Sequence, residues 1–397
     1  MIVIVGAGCA GLSLAVRLAA RPELGRVTVI EPRAELSSDR TFCFFRGRSH
    51  PFGAAVTHEW WRVRVAGPGH EVVRATRTPY QHLPADAFHR AALAALDACK
   101  HIELRMGTSA ERIVEREGRV DVETSAGKLE ARVVFDARGL AARDTSARAP
   151  SDASSSDAVG GDAVRGEVRW LQHFAGLHVR TERPIFEPDT ATLMDFRVEQ
   201  GPGPRFIYVL PYTAHEALVE DTCFSEAPLP AAEYDARVRA YLDARSPGEI
   251  EIVRREHGVI PMTTEPAPRA TDRVVPLGLA GGLAKPSTGY HFAFAQRHAD
   301  AIVEAMAQGK PLSRAAAPRT PVASFFDRVF LSYLSRHRER APALFARLFD
   351  RVPVPVLARF LGESGGPLDH LRVMNAVARR GLFLEAMRTS ASWMRRS

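Results

Sequence analysis

The chain has 397 residues, 46% of them hydrophobic and 25% charged, the composition of a globular protein with a large core and room for two or three domains. No run of 18 apolar residues occurs, so no transmembrane helix is expected. Four scattered cysteines (Cys9, Cys43, Cys99, Cys223) form no C-x-x-C pair, which argues against a zinc site or disulfide framework. A first strand at residue 2 leaves no room for a cleavable signal peptide, so a cytoplasmic protein is expected. The net charge of +7 is uneven: residues 320–397 hold 13 Arg, no Lys and 6 acids, and 13 − 6 accounts for all of it.

In chain order, Ile2 to Val5 reads as a buried strand of mostly β-branched residues. Gly6, Gly8 and Gly11 follow with G-x-G-x-x-G spacing. Gly6 permits the turn, Gly8 lets a pyrophosphate approach the backbone, and Gly11 lets the next helix lie close to the sheet. That helix aims its free N–H groups at the phosphates. Val27 to Glu31 reads as the second strand, with Glu31 20 residues past Gly11, where a carboxylate binds ribose hydroxyls. An acid there favours FAD or NAD over NADP.

Next, Asp39-Arg-Thr-Phe-Cys-Phe-Phe45 places Arg40 beside an aromatic run, suited either to a flavin or phosphate and an apolar pocket, or to buried packing. Residues 60–74 alternate as strands. Pro79 to Phe88 leads into an alanine-rich helix ending near Ala98, with Asp86 in its first turn. Short strands follow at 102–106, 111–117, 120–124 and 129–136, the last ending in Asp136-x-x-Gly139. An Asp in that place returns the chain to the cofactor edge of a doubly wound sheet.

Residues 144–166 are rich in Ser, Asp, Ala and Gly and read as a loop. Strand-like runs to about Thr263, interrupted by a helix near 231–245, predict an antiparallel sheet with one apolar face, a wall for a large apolar ligand. Arg273 to Gly282 reads as strand and turn, Lys285-Pro-Ser-Thr-Gly-Tyr290 follows, and a helix runs from about His291 to Gln308. This second glycine-rich turn, with Gly281, Gly282 and Gly289, suits the ribityl and isoalloxazine atoms of a flavin. From Val322 onward the pattern is helical, broken at Pro342, Pro353 and Pro355. The expected fold class is α/β (α+β). A discontinuous Rossmann-like FAD-binding domain covers 1–143 and 266–312, a flexible loop 144–166, an antiparallel-sheet substrate domain 167–265, and a C-terminal helical, membrane-contacting region 313–397.

Five stretches together resemble the bacterial lycopene cyclases: Gly6 to Gly11; Asp39 to Phe44; Leu193-Met-Asp195 with Arg205-Phe-Ile-Tyr-Val-Leu-Pro211; Val219-Glu-Asp-Thr222; and Gly281 to Tyr290. Phe42 and Phe45 stand where that family usually has Trp. The resemblance implies a lycopene β-cyclase that turns the acyclic ends of lycopene, or of another acyclic carotenoid, into β-ionone rings. It implies reduced FAD with no net redox change, and NAD(P)H as a candidate reductant. Glu220-Asp221 matches the family's catalytic acidic motif. Adjacent strand residues face opposite sides, so Glu220 is favoured as the acid over Asp221, with Asp195 a second candidate. A FAD-dependent monooxygenase or reductase acting on a polyprenyl or carotenoid substrate is the alternative. Nucleic acid is not an expected partner, because the arginine-rich C-terminus has no recognised binding motif. An anionic membrane is expected, since Arg336, Arg338, Arg340, Arg347 and Arg351 accompany apolar helix faces and lycopene must be drawn from a bilayer. That would place the protein peripherally on the inner face of the cell membrane.

Overall fold

The computed structural model describes residues 1–36, 40–139, 168–265, 268–279, 281–315 and 319–377. The 144–166 loop, Asp39 and the segment beyond 377 lie outside the described residues.

The chain opens as the glycine spacing predicts: β1 (Ile2–Val5), α1 (Cys9–Ala19) and β2 (Val27–Glu31). There follow β3 (Thr41–Phe45), β4 (His58–Gly67), β5 (His70–Pro84), α2 (Ala85–Asp97) and β6 (Ile102–Met106). A meander of β7 (Ala110–Arg116), β8 (Arg119–Thr124) and β9 (Gly127–Ala131) leads into β10 (Val133–Asp136). The middle of the chain gives β11 (Arg169–Thr181), β12 (Thr190–Asp195), β13 (Arg205–Pro211), β14 (Glu216–Ser225), α3 (Ala231–Asp243) and β15 (Ile250–Thr263). After β16 (Val274–Pro276) the described chain is helical: α4 (Phe292–Ala307), α5 (Leu312–Ala315), α6 (Pro321–Arg336), α7 (Ala341–Arg351), α8 (Val354–Leu361) and α9 (Pro367–Val377).

The first sheet has the order β16-β10-β1-β2-β6 and is parallel throughout. Its central strands β1 and β2 are buried on both faces, which is why β1 is a continuous apolar run and β2 does not alternate strictly. The second sheet has eight strands, β15-β11-β14-β13-β12-β4-β5-β3, antiparallel except where β12 meets β4. Strands β3, β4 and β5 belong to it although they precede residue 143, so the sheets do not divide where the expected domains do. Their partners are remote in sequence, and local alternation carries no information about which sheet a strand joins.

Helix α6 starts where Thr320 Oγ1 accepts the Ala323 N–H at 3.1 Å and Pro321 fills the first turn. Helix α7 is sharply amphipathic: Leu344, Phe345, Leu348 and Phe349 are buried, while Asp350 and Arg351 are exposed. It packs on β4 and β5. The C-terminal helices and the second sheet therefore share one core, which includes Trp60, Phe196, Phe206, Phe224, Leu334 and Leu357.

Candidate active site

Every strand of the parallel sheet ends at the edge where α1 begins, the usual cofactor edge of such a fold. Helix α1 has Gly8 as its N-cap, with no side-chain cap. A Cβ on Gly8 would meet nothing within 4 Å, so open space lies against the helix end. A Cβ on Gly11 would sit 1.9 Å from the Gly6 carbonyl oxygen, so the close helix–strand approach requires glycine there. Gly6 makes the turn at φ +104°. Glu31 is buried; its carboxylate accepts the Ala7 N–H at 2.7 Å and Arg33 Nε at 2.6 Å. Burial opposes its charge, but the Arg33 and Ala7 hydrogen bonds outweigh burial and hold the pKa below the usual range. Asp136 ends β10 at the same edge, paired with Arg138 at 2.7 Å. Arg40 is exposed, close enough to Cys9 in the first turn of α1 for its charge to act on the thiol.

The second glycine turn arrives from β16. A Cβ on Gly281 would press on Pro276 O at 2.6 Å, and Gly282 takes φ +73°. Gly289, at φ +69°, lies against the Gln172 side chain of β11. Three buried polar atoms gather at this junction without a protein partner: Gln172 Oε1, Thr288 Oγ1 and His291 Nε2. All three residues line the large cavity. Burial keeps His291 neutral, with its pKa pushed down to about 4. Unpaired buried polar atoms cost about 1–3 kcal/mol each. Such a concentration fits a polar ring system that would bond to them, and with the open helix end it fits FAD.

A buried ion cluster fixes this turn to the C-terminal helices. Lys285, only 1% exposed, pairs with Asp327 of α6 at 2.8 Å and with Glu363 at 3.1 Å. Arg319 pairs with the same two acids, and Ser287 bonds Asp327. No spacing in the sequence marked these residues as a group.

The cavity lies between the second sheet and helices α6 to α9. Phe174, Phe206, Phe224, Phe330, Phe345 and Phe349 form much of its wall. Phe42 and Cys43 also face it, whereas Phe44 stacks on Phe292 at 4.3 Å and Phe45 packs on Tyr80. Both readings of the aromatic run thus hold for different residues.

Glu220 of β14 opens into this cavity and is buried. On β11 its neighbour is Gly176, whose other neighbour is Glu256 of β15. A Cβ at Gly176 would lie 2.5 Å from Glu220 Cγ, so the bare position is what lets the two carboxyls meet. Glu256 is held by Thr41 Oγ1 at 2.8 Å and by Arg254 at 3.0 Å. Burial, then the Glu256 charge, then the hydrogen bond to Glu256 push the Glu220 pKa well above the carboxylate range, against the pull of Arg254. Across the next strand stands Tyr208, whose hydroxyl donates to Tyr80 Oη at 3.0 Å. Sequence reasoning missed Glu256, because a Glu in the charged run Glu251 to Glu256 looks like any exposed strand residue.

The other two acids lie elsewhere. Asp221 points to the opposite face, against α3, paired with Arg205 at 2.7 Å and Arg237 at 3.4 Å. Its burial raises the pKa in opposition to those arginines. Asp195 is also fully buried but outside the large cavity, held by Arg197 at 2.9 Å and the Tyr241 hydroxyl at 2.9 Å. Burial opposes its charge, and the bonds from Arg197 and Tyr241 overcome burial and keep it ionised. Neither carboxyl reaches the space that Glu220 faces. A strand-end position looked equivalent in sequence; bidentate arginine pairing makes Asp195 a structural anion instead.

The fold is that of flavin-dependent monooxygenases and reductases. A geranylgeranyl bacteriochlorophyll reductase-like protein from Thermoplasma acidophilum matches with TM-score 0.60 at 14% identity, covering 98% of both chains. A flavin-dependent monooxygenase solved with FAD and substrate matches with TM-score 0.61 at 13% identity, over 98% of this chain and 71% of that one. Residues 1–389 match the model of the lycopene cyclase protein family, and the chain belongs to it. A lycopene beta-cyclase of Paracoccus sp. (strain N81106 / MBIC 01143) is 32% identical over 225 residues, 51% of this chain and 55% of that protein. The match thus spans about half the length of that relative.

Proposed function

We propose that the protein is a FAD-dependent lycopene β-cyclase, an isomerase that closes the ψ-ends of lycopene. The observation that carries this reading is Glu220: a carboxyl kept protonated by burial and a second carboxylate, facing a large aromatic cavity in a lycopene cyclase family chain. Glu220 donates its proton to C2 of the terminal C1=C2 bond, leaving a cation at C1. The C5=C6 pair closes the C1–C6 bond, and loss of the C6 proton restores C5=C6 in the ring. Aromatic faces such as Phe174 and Phe206 stabilise passing positive charge, and the apolar wall excludes the water that would capture it. The α1 N-terminus with Gly8 and Arg40 would hold the pyrophosphate, Glu31 the ribose, and the 281–291 turn with Gln172 the ring system. Bound in reduced form, FAD would supply negative charge that stabilises the cation.

Attachment to a membrane surface is part of the proposal. Among the described residues no helix is long and apolar enough to cross a bilayer. Helix α9 turns Val373, Met374 and Val377 to the cavity and leaves Leu368 and Leu371 70% and 55% exposed, with Val322 of α6 58% exposed. This apolar rim, beside exposed Arg372, would rest on anionic lipid and admit substrate. Of the five arginines expected at the surface, Arg336, Arg338, Arg340 and Arg351 are exposed, Arg338 also bonding the Pro202 carbonyl, whereas half-buried Arg347 bonds the Ala376 carbonyl at 2.6 Å.

The test is product analysis in lycopene-accumulating cells. A cyclase yields cyclic products with the mass of lycopene. A product heavier by oxygen or by hydrogen would overturn the reading and support the monooxygenase or reductase alternative.

A further inference from the structure

Ring closure needs a base as well as an acid, and the cavity holds a second carboxyl in contact with the first. We propose that Glu220 and Glu256 act as a proton-conserving pair, in which Glu220 gives the proton to C2 and the Glu256 carboxylate takes the proton from C6. This rests on the cyclase reading above.

The sheet register builds the pair. Glu256, Gly176 and Glu220 stand in one row across β15, β11 and β14, and both acids line the cavity. Any side chain at Gly176 would separate the two acids. Their environments differ, which assigns the roles. Arg254 and Thr41 both engage Glu256 Oε2, so negative charge settles there. Glu220 is buried facing that charge, and burial together with the Glu256 charge keeps the proton on it. Other ionisable groups whose charges reach the pair or its immediate neighbours include Cys43 of β3, Tyr208 and Tyr212 of β13, His178 of β11, Tyr80 and His82 of β5, and Asp86 of α2, whose charge acts on Arg254. Burial holds Cys43, Tyr208 and Tyr212 in their protonated forms, and lowers the pKa of both histidines toward the neutral form, so Arg254 is the cation fixed beside the pair.

The chemistry balances. The Glu220 O–H bond breaks as C2–H forms from the C1=C2 electron pair. The C5=C6 pair forms C1–C6 and moves the cation to C5. The C6–H bond breaks, its electrons become C5=C6, and the proton goes to Glu256. One proton hop back across the Glu256–Glu220 hydrogen bond resets the pair, with no water, oxidant or external acid consumed. C2 and C6 are both bonded to C1, so the two carbons are next-nearest neighbours on the new ring. Two touching carboxyls span such a pair of positions.

The test uses the full-length flavin-loaded protein with lycopene in liposomes, as wild type, Glu256→Gln and Glu256→Asp. Glu256→Gln should keep its flavin spectrum and lose at least about 100-fold in kcat, the usual worth of a positioned base. Its residual activity should lose its alkaline limb at lower pH than wild type, because Glu220 no longer faces a carboxylate. Glu256→Asp should recover part of the rate. Infrared titration reads the pair without substrate: wild type should show a protonated carboxyl band at neutral pH that Glu220→Gln removes and Glu256→Gln shifts to lower pH. A Glu256→Gln kcat within twofold of wild type, or a carboxyl band that Glu256→Gln does not move, would overturn the pair. A wild-type protein that does not cyclise lycopene but shows the expected band shift would overturn the cyclase reading and leave the carboxyl pair standing.

Discussion

Gly8→Val separates cofactor binding from folding more cleanly than any other substitution at the α1 turn. Gly8 has φ −83° and ψ −171°, extended backbone that valine adopts without strain, and its added Cβ meets no atom within 4 Å. The apoprotein should lose only the preference of the N-cap for glycine over valine, about 1 kcal/mol. Unfolding entropy near 2 cal/mol/K per residue gives about 0.8 kcal/mol/K for this chain, so the apo melting point should fall by roughly 1 °C. Added FAD should then tell the two proteins apart. At a hundred times its Kd, FAD stabilises wild type by about 2.7 kcal/mol, a rise of roughly 3 °C. Gly8→Val, with a branched side chain in the pyrophosphate space, should show no rise and no bound yellow chromophore. Gly11→Ala is the control: its Cβ collides with the Gly6 carbonyl, so it should damage the apo fold itself. Differential scanning fluorimetry with and without FAD, beside absorbance of the purified proteins, makes the comparison. A Gly8→Val protein with full flavin content would refute the placement of the pyrophosphate, and a large loss of apo stability would refute the open space at the helix end.

Asp221→Asn should act on stability: it leaves Arg205 and Arg237 facing an uncharged, fully buried partner, and should cost about 3–5 kcal/mol by urea denaturation; a loss under about 1 kcal/mol would count against it. Glu220→Gln should abolish turnover yet stabilise the fold above the ordinary carboxylate range. The folded pKa of Glu220 is raised above 4.5, so the stability its proton confers is full below pH 4.5 and declines as pH rises through the folded value. The glutamine variant escapes that decline, gaining about 1.4 kcal/mol per pH unit across the window and nothing below it; parallel melting curves at all pH values would contradict this. Leu368→Ser with Leu371→Ser should weaken sedimentation with anionic vesicles while leaving flavin binding intact, and unchanged sedimentation would show that the α9 rim is not the contact.

The parts of the fold legible in sequence were those set by local spacing. Strand, three glycines and helix at residues 2–19 are determined within one βα unit, and Asp136 and the 281–289 turn return to the same sheet edge. Placement across the sheet was not legible. Glu220 and Glu256 are 36 residues apart in sequence and meet only because β11 runs between their strands with glycine at position 176. Strands β3 to β5 likewise read as part of the first domain until pairing put them in the second sheet. Asp195 and Glu220 looked alike, each ending an apolar run. Arg197 and the remote Tyr241 hold Asp195 ionised, whereas burial and the remote Glu256 keep the proton on Glu220.

Solvent isotope labelling tests acid-initiated ring closure at Glu220 most directly. Enzyme in excess, equilibrated in D2O and carrying reduced FAD, should convert lycopene in a single turnover to a product whose first ring carries one deuterium, at C2. Glu220→Gln should form no ring. A ring formed without deuterium, or a product bearing added oxygen, would contradict proton delivery by Glu220 as the step that starts the reaction.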